Sequence, residues 1–329
     1  MRAAVILRAG GPDVLEIVEV SRPSPREGEV LVQVHASALN RADTMQRQGR
    51  YPAPPGAPAN IPGLEIAGEV AELGAGVKRW KVGDRVFGIV GGGGNAEYLV
   101  TGERELARIP DNLSWEEAAA VPEAFITAHD ALITQAAVRA GETVLVHAVG
   151  SGVGLAALQL ARAFEAKCYG TARTPEKIQR AKELGLVDGA VIKANPTELS
   201  GYVHHWTDGK GVDVVLDLVG GPYLPASVEC SAMLGRIVLI GLLAGRSAEL
   251  NLGTIMSRRL TIRGTMLRSR SRADKAAATE AFARDVLPLL ERAEVRPVID
   301  RVFALDQIRE AHALMESNET FGKIVLKIS

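Results

Sequence analysis

The feature that most constrains the fold is the alternation of short apolar runs and helical stretches that begins at Thr143. Runs typical of buried strands are followed by segments of helical periodicity, and this order predicts parallel βαβ units. The predicted strands are TVLVHA, KCYGTA, GAVI, VDVVLDLV and RIVLIG, with LAALQLARAF and TPEKIQRAKEL as predicted helices between them. We therefore expect an α/β chain with a doubly wound parallel sheet.

The first 110 or so residues have a different residue pattern. Strand-like runs at 30–34, 66–73 and 86–90 are separated by turn-rich segments. This pattern predicts a small β-rich body. A helix is expected to begin within residues 111–120, which supply N-cap and acidic first-turn residues. The tail predicts helices through 282–290 and 306–315 and a closing strand over 323–328, and the pattern leaves open whether this tail is a separate domain.

The charge and cysteine content of this 329-residue chain exclude some classes of function. Lys and Arg total 38 against 39 Asp and Glu, so no positive surplus is available for nucleic-acid phosphates. The basic run Arg268, Arg270 and Arg272 has no interleaved aromatic residues and is interpreted as a solvated face. Cys168 and Cys230 are expected to be buried thiols.

Neither a targeting segment nor a membrane span is expected from the apolar runs. The N-terminal run 3–7 is too short for the core of a signal peptide, and the run 237–245 is half of what a transmembrane helix needs. The sequence therefore predicts a cytoplasmic protein without a membrane partner.

A glycine-rich turn, AVGSGVG at 148–154, follows the first strand of the alternating region and precedes a helix. In that context the N-H groups of the helix N-terminus bind a pyrophosphate, and glycine lets the backbone approach it. The sequence does not match the strict GxGxxG motif. Counted from Gly150 and Gly152, the position of the third glycine is occupied by Leu155. A ligand-free tight turn remains an alternative, whereas a Ser151 nucleophile is disfavoured because Val149 and Val153 occupy positions that need small residues.

The second strand of this region ends in TARTPEK, without the carboxylate that would accept hydrogen bonds from the ribose hydroxyls of NAD. Arg173 and Lys177 instead offer cations where a 2'-phosphate would lie. The sequence therefore predicts NADPH as the cofactor, with a solvated helix start as the alternative.

Several segments together resemble the zinc-free quinone oxidoreductases of the medium-chain dehydrogenase/reductase superfamily. They are ASALNRADTMQRQGRYPAPPGAP, IPGLEIAGEV, WKVGDRVFGI, AVPEAFITAHDAL, HAVGSGVG and FGKIVL. The resemblance implies a GroES-like β-rich catalytic domain from residues 1–120 and 265–329, and a Rossmann domain over 121–264. It also implies a cleft where nicotinamide meets substrate, and a homodimer in which two sheet edges formed by LTIRG pair.

Zinc enzymes of this superfamily hold their metal with a cysteine and the histidine of a GHE motif. At the matching positions this chain has Asn40 and Leu64, which supply neither a thiolate nor an imidazole. We therefore expect no metal site, and we expect the neighbouring Glu65 to hydrogen-bond within the fold.

Without a metal, the hydride acceptor must already be electrophilic, as quinones and conjugated carbonyls are. Tyr51 is the candidate for hydrogen-bonding a developing oxyanion or delivering a proton, with a rim position as the alternative. Asn40 either orients the same carbonyl or caps a turn. The predicted function is an NADPH-dependent quinone reductase; the alternatives are a 2-enoyl thioester reductase and a crystallin-like NADPH-binding protein without activity.

The resemblance also implies further cofactor contacts. Close relatives have a tyrosine near the adenosine end where this chain has Ile192, and Arg173 is a candidate to replace it. The other implied contacts are Thr127 beside the cofactor, Ser151, Gly152 and Val153 on phosphate, and the backbone near Val219, Gly241 and Leu267 beside the nicotinamide ribose and carboxamide.

Overall fold

The computed structural model describes residues 1–193 and 195–328, and the chain divides into two compact units. Unit 1 comprises Met1–Ile126 and Leu267–Ser329, and unit 2 comprises Thr127–Met266. The family resemblance implies 121–264 for the Rossmann domain. The corresponding unit in the structure begins six residues later and ends two residues later.

The N-terminal part of unit 1 is mostly strands. Its elements are β1 Arg2–Ile6, β2 Leu15–Glu19, β3 Glu29–Leu39, α1 Arg41–Arg47, β4 Glu65–Leu73, β5 Arg85–Ile89, β6 Tyr98–Gly102, β7 Leu106–Arg108 and α2 Trp115–Ala119. Helix α2 begins where Ser114 Oγ accepts the Glu117 N-H at 3.1 Å, which confirms the helix start predicted within 111–120. A π-helical turn, Pro122–Ile126, follows it.

Unit 2 contains the predicted alternation. Its elements are α3 Thr127–His129, β8 Thr143–Val146, α4 Gly152–Ala163, β9 Lys167–Ala172, α5 Pro175–Glu183, β10 Asp188–Val191, α6 Leu199–Trp206, β11 Val212–Asp217, α7 Tyr223–Cys230, β12 Ser231–Leu239, α8 Leu252–Arg258 and β13 Thr261–Gly264. The strands pair in parallel in the order β10-β9-β8-β11-β12-β13. This is the doubly wound sheet that the sequence predicts, with β13 at one edge.

The chain then returns to unit 1 through α9 Arg272–Glu291, β14 Ile299–Ala304, α10 Ile308–Ser317 and β15 Lys323–Lys327. Helix α9 starts ten residues before the predicted 282 because Ser271 caps it, accepting the Asp274 N-H at 3.1 Å. Strand β15 pairs antiparallel with β3. The tail is therefore part of unit 1, whose larger sheet has the order β14-β15-β3-β4-β5-β7, with β6 also paired to β3.

Burial along β3, β4, β5 and β15 creates the core of unit 1, with Val30, Ile66, Val86 and Ile324 among its fully enclosed side chains. The glycine-rich segment 91–94 packs against this body. Gly93 and Gly94 donate their backbone N-H groups to Ile61 O at 2.8 Å and Gly63 O at 3.0 Å. Three of its four residues are buried.

Two expectations concern the chain as a whole. Cys168 and Cys230 are free and buried, as predicted. Among the residues that the structure describes, no helix combines the length and the apolar character that crossing a bilayer requires.

Candidate functional site

In unit 2 the turn after β8 leads into a capped helix start. Ser151 is the N-cap of α4, and its Oγ accepts the Gly154 N-H at 3.1 Å. Ala148 adopts a left-handed conformation with φ 53°, which turns the chain sharply out of the strand. Ser151, Gly152 and Val153 all remain partly exposed, and the Ser151 N-H donates to Ala148 O at 2.9 Å.

The buried side chain of His147 stabilises the end of β8, where this turn begins. Both ring nitrogens of His147 have hydroxyl partners, Thr171 Oγ1 at 3.1 Å and Ser227 Oγ at 2.9 Å. Burial lowers the pKa of His147, so the ring is neutral and structural. Its contacts connect the end of β8 to β9 and α7.

The carboxyl ends of β8 and β11 form the topological switch point of the sheet, since the chain moves outward in opposite directions from these two strands. Asp217 ends β11 and accepts the backbone N-H groups of Val219 and Gly220, both at 2.8 Å. Gly241 lies two residues after β12 and packs against the segment after β11. An added Cβ at Gly241 would lie 2.4 Å from Leu218 O. The structure thus brings Val219 and Gly241 together beside the glycine-rich turn.

Arg173 lies directly after β9 and is exposed, with Lys177 one turn into α5. Ile192 is 1% exposed, and its carbonyl accepts the Tyr223 hydroxyl at 3.4 Å. Its apolar side chain is therefore part of the core, and both Arg173 and Lys193 are exposed cations. Thr127 is buried at the start of α3.

In unit 1 a network of buried charges includes Asn40, one of the two positions at which the sequence lacks a zinc ligand. Glu65 is 0% exposed and Lys323 is 4% exposed. Lys323 Nζ lies 2.7 Å from Glu65 Oε1, and it donates to Asn40 Oδ1 at 2.6 Å. Asn40 Nδ2 donates to Glu65 Oε1 at 2.8 Å. Glu65 therefore hydrogen-bonds within the fold, as the sequence predicts.

Asn40 has a mixed role that the sequence left open. Its backbone N-H donates to Asp43 Oδ2 at 2.8 Å at the start of α1. Its side-chain amide has acceptors at Glu65 Oε1 and, at 3.3 Å, Ala38 O. The Asn40 side chain is thus committed to the charge network, and both of its donor positions already have acceptors.

Two further carboxyl groups border this network. Asp43 Oδ1 accepts the Gly63 N-H at 2.9 Å, and burial raises the Asp43 pKa to about 6. Glu123, in the π-helical turn, donates its backbone N-H to Glu65 Oε2 at 2.7 Å. Burial is the largest cause that raises the Glu123 pKa, and the negative charge of Glu65 is the second. Together they raise this pKa to about 8.

Tyr51 is half-buried and lies against Arg268. The Arg268 guanidinium is 5.0 Å from the centre of the Tyr51 ring and donates to Tyr51 O at 3.4 Å. Burial raises the Tyr51 pKa, so its hydroxyl stays protonated at neutral pH. Leu267, next to Arg268, is buried in the same unit.

The interpretation of Arg268 as part of a solvated face is wrong. Arg268 is 4% exposed, because its guanidinium finds acceptors on three separate segments. It donates to Gly91 O at 2.9 Å, to Tyr51 O and to Gln46 Oε1. An arginine with this many partners is stable in a buried position, whereas an unpaired one is not.

The donor set around Glu65 does not fit a zinc ion. Zinc sites in proteins use thiolate, imidazole and carboxylate ligands, and here an amide from Asn40 and an ammonium from Lys323 surround the one carboxylate. Over the described residues 1–193 and 195–328, no group of three or more His, Cys, Asp or Glu side chains is arranged to hold a metal ion.

Sequence reasoning did not single out Glu123, Lys323 or Asp43, and it misassigned Arg268. A signal for two of them exists, because Glu123 interrupts the apolar segment AAAVPEAFI and Lys323 interrupts the apolar strand FGKIVLKI. A charged residue inside an apolar run of this kind is almost never fully buried unless it is paired.

Comparison with known proteins agrees with the fold. Residues 26–128 match the alcohol dehydrogenase GroES-like domain, and residues 152–284 match the zinc-binding dehydrogenase domain. A quinone oxidoreductase of Pseudomonas aeruginosa is 37% identical over 318 residues, covering 96% of each chain. A human quinone oxidoreductase is 31% identical and covers 99% of this chain and 97% of its own.

Solved structures share the architecture over the full length. An NAD-dependent alcohol dehydrogenase has a TM-score of 0.85 at 34% identity, covering 100% of both chains. The mycobacterial protein Rv1454c complexed with NADPH has a TM-score of 0.88 at 27% identity, again covering 100% of both. JamJ enoyl reductase has a TM-score of 0.89 at 25% identity, with the same coverage. The chain therefore belongs to the quinone oxidoreductases of the medium-chain dehydrogenase/reductase superfamily.

Proposed function

We propose that this enzyme is an NADPH-dependent, zinc-independent reductase that transfers hydride to quinones or similar conjugated carbonyls. The observation that carries the proposal is the buried ion pair of Glu65 and Lys323, completed by Asn40. The ammonium of Lys323 neutralises the Glu65 carboxylate, which is next in sequence to Leu64, one of the two positions without a zinc ligand. An acceptor that is electrophilic by itself, such as a quinone, suits this arrangement.

Tyr51 is the proposed hydrogen-bond donor to the acceptor oxygen. Its raised pKa keeps the hydroxyl protonated, and the Arg268 guanidinium at its ring holds it in place. Asn40 is a proposed positioning residue, because its amide holds Glu65 and Lys323. Unit 1 is thus the proposed catalytic domain and unit 2 the proposed cofactor domain.

Most of the proposed cofactor contacts are in unit 2, and Leu267 is in unit 1. The turn after β8 and the carboxyl ends of the unit 2 strands support the choice of the unit 2 contacts. The turn at Ser151, Gly152 and Val153 would hold the pyrophosphate, and the backbone at Val219 and Gly241 would flank the nicotinamide ribose. Thr127 and Leu267 are retained as proposed contacts. The bound cofactor supplies the hydride, and these residues orient it and exclude water.

Cofactor choice is the first prediction. Arg173 is exposed and lies where a 2'-phosphate is expected, so we expect NADPH to bind about 10-fold or more tightly than NADH. Arg173→Ala is expected to remove most of this preference, while Arg180→Ala, farther along α5, is expected to keep it. Titration calorimetry with NADPH and NADH measures this preference in the unaltered enzyme and in both variants. Equal affinities for NADH and NADPH in the unaltered enzyme contradict the assignment.

The second candidate function is reduction of a 2-enoyl thioester, which the likeness to JamJ enoyl reductase favours. The two reactions place different demands on Tyr51. Hydride addition to a quinone leaves an oxyanion delocalised into a ring, so one hydrogen bond of about 0.5–1.5 kcal/mol is at stake. Enoyl reduction also requires a proton at the α-carbon, for which a positioned acid contributes about 100-fold or more.

Tyr51→Phe tests the choice between these reactions. With 1,2-naphthoquinone and NADPH we expect kcat/KM to fall only about 2- to 10-fold, and we expect crotonyl thioester to be the poorer substrate of the unaltered enzyme. Chelator in the assay is expected to leave the rate unchanged. Efficient crotonyl-thioester reduction combined with a large loss in Tyr51→Phe favours the enoyl reductase instead.

We also propose that the enzyme is a cytoplasmic homodimer. Strand β13 ends the sheet of unit 2 with an unpaired edge, and this unit exposes Leu242, Leu243, Leu252 and Met256. Pairing with a second copy would cover such an edge. Light scattering is expected to give twice the chain mass of 34.9 kDa. A purely monomeric species at micromolar concentration contradicts it.

A further inference from the structure

Tyr223 follows a tight turn at the carboxyl end of β11. It is the first residue of α7, and in the turn before it Gly220 and Gly221 adopt left-handed conformations with φ 67° and 54°. Two consecutive residues with positive φ favour glycine, because a Cβ is strained there. The Tyr223 N-H donates to Gly220 O at 3.2 Å. This turn starts α7 beside the strand ends from which the chain has just emerged.

The Tyr223 side chain reaches from one strand end to another. Its ring meets the ring of His147, which follows β8, edge to face with a distance of 5.0 Å between the ring centres. Its hydroxyl donates to the carbonyl of Ile192, which follows β10, at 3.4 Å. Since β9 lies between β8 and β10 in the sheet, the Tyr223 side chain spans the carboxyl end of β9.

Two exposed cations emerge from these same strand ends. Arg173 directly follows β9, and Lys193 directly follows Ile192. Burial raises the Tyr223 pKa and the Arg173 charge opposes that rise, which agrees with Arg173 lying near the phenol. A hydroxyl that stays protonated at neutral pH therefore accompanies the two cations at the carboxyl ends of β9 and β10.

The hydrogen bond from the Tyr223 hydroxyl to Ile192 O is weak. O-H···O bonds in proteins usually have a length of about 2.7–2.8 Å, and this one is 3.4 Å long. A hydrogen bond to an ionised oxygen is shorter and roughly twice as strong as one to a neutral oxygen. Tyr223 is partly exposed, so its hydroxyl gains by exchanging Ile192 O for the oxygen of an anion beside Arg173.

We propose that Tyr223 binds the 2'-phosphate of NADPH together with Arg173. This inference rests on the cofactor proposed above. The phosphate oxygens accept the Tyr223 O-H and the guanidinium N-H groups of Arg173, while the ring contact with His147 holds the phenol in place. NADH has a ribose hydroxyl instead of this phosphate and offers no negative charge to either donor. Tyr223 is thus a specificity-determining residue for the cofactor and takes no part in hydride transfer.

Tyr223→Phe removes only the hydroxyl, and its effect is measured on binding rather than on activity. Adenosine 2',5'-bisphosphate and adenosine 5'-monophosphate are the probes for titration calorimetry, because they differ by the 2'-phosphate alone. We expect the affinity for the bisphosphate to fall about 3- to 10-fold, as for the loss of one charge-assisted hydrogen bond weakened by solvent. We expect the affinity for the monophosphate to stay unchanged.

Tyr169→Phe is the matched control. The Tyr169 hydroxyl also donates to a backbone carbonyl, Trp206 O at 3.2 Å. The Trp206 indole N-H donates to Asp188, at the amino end of β10, at 3.0 Å. Because this contact lies toward the opposite end of the parallel sheet, we expect the affinities of Tyr169→Phe for both probes to equal those of the unaltered protein.

A double variant tests whether Tyr223 and Arg173 bind the same group. Arg173→Ala leaves the phosphate poorly held, so in that background we expect Tyr223→Phe to lower the bisphosphate affinity by less than about 2-fold. Two full and independent losses contradict a shared phosphate.

The outcomes distinguish this inference from the function on which it rests. Equal affinities of the unaltered protein for the two adenosine probes overturn the proposed NADPH preference. A preference for the bisphosphate that Tyr223→Phe leaves intact overturns the role of Tyr223 alone. If Tyr223→Phe fails to fold, nitration of the unaltered protein by tetranitromethane decides, with the modified tyrosines located by peptide mass. The bisphosphate is expected to protect Tyr223 more than the monophosphate does, and equal protection contradicts the proposal.

Discussion

Lys323→Met is expected to lower the free energy of unfolding by about 3–5 kcal/mol. The substitution preserves the approximate length of the side chain but leaves the Glu65 carboxylate, which is 0% exposed, without its cationic partner. Removing one partner of a buried pair strands the other charge in a medium that solvates it poorly. Urea unfolding followed by circular dichroism measures the change.

The matched control is Lys327→Met at the end of the same strand β15, where the lysine is exposed. We expect the free energy of unfolding of Lys327→Met to fall by less than about 0.5 kcal/mol. Adding Glu65→Gln to Lys323→Met is expected to recover part of the lost stability, because the stranded charge is then gone. A loss in Lys323→Met no larger than in Lys327→Met contradicts the importance of the ion pair.

Gly154→Ala is expected to disrupt the glycine-rich turn. A Cβ at this position would lie 2.6 Å from Ala148 O and 2.8 Å from Val149 Cα, both rigid backbone atoms. The first turn of α4 must then move away from the end of β8. We expect a stability cost of about 1–3 kcal/mol and NADPH affinity lower by about 10-fold or more, because the N-H groups proposed to bind the phosphate move with the turn.

Gly201→Ala in α6 is the control, since no atom lies within 4 Å of the added Cβ. There we expect unchanged NADPH affinity and stability equal to or slightly above that of the unaltered enzyme, because alanine favours a helix over glycine. Calorimetric titration and thermal unfolding measure both variants. NADPH affinity in Gly154→Ala equal to that in Gly201→Ala contradicts the placement of the phosphate at this turn.

The sequence by itself determined the parallel sheet and its turn, because these depend on local patterns. The run KCYGTA coincides with β9 Lys167–Ala172, and VDVVLDLV begins with β11 at Val212. Alternating apolar runs and helical periodicity specify βαβ units whatever the rest of the chain does. The replacement of both zinc-ligand positions, at Asn40 and Leu64, followed from the sequence together with the family resemblance.

Only the tertiary structure decided which charges are buried. Arg268 carries the same local signal as Arg270 and Arg272, yet its acceptors, Gly91 O among them, lie up to 222 residues away. Glu123 reaches Glu65 across 58 residues, and Lys323 reaches Asn40 across 283. Burial of a charge depends on the partners that folding brings to it, and no local pattern contains those partners.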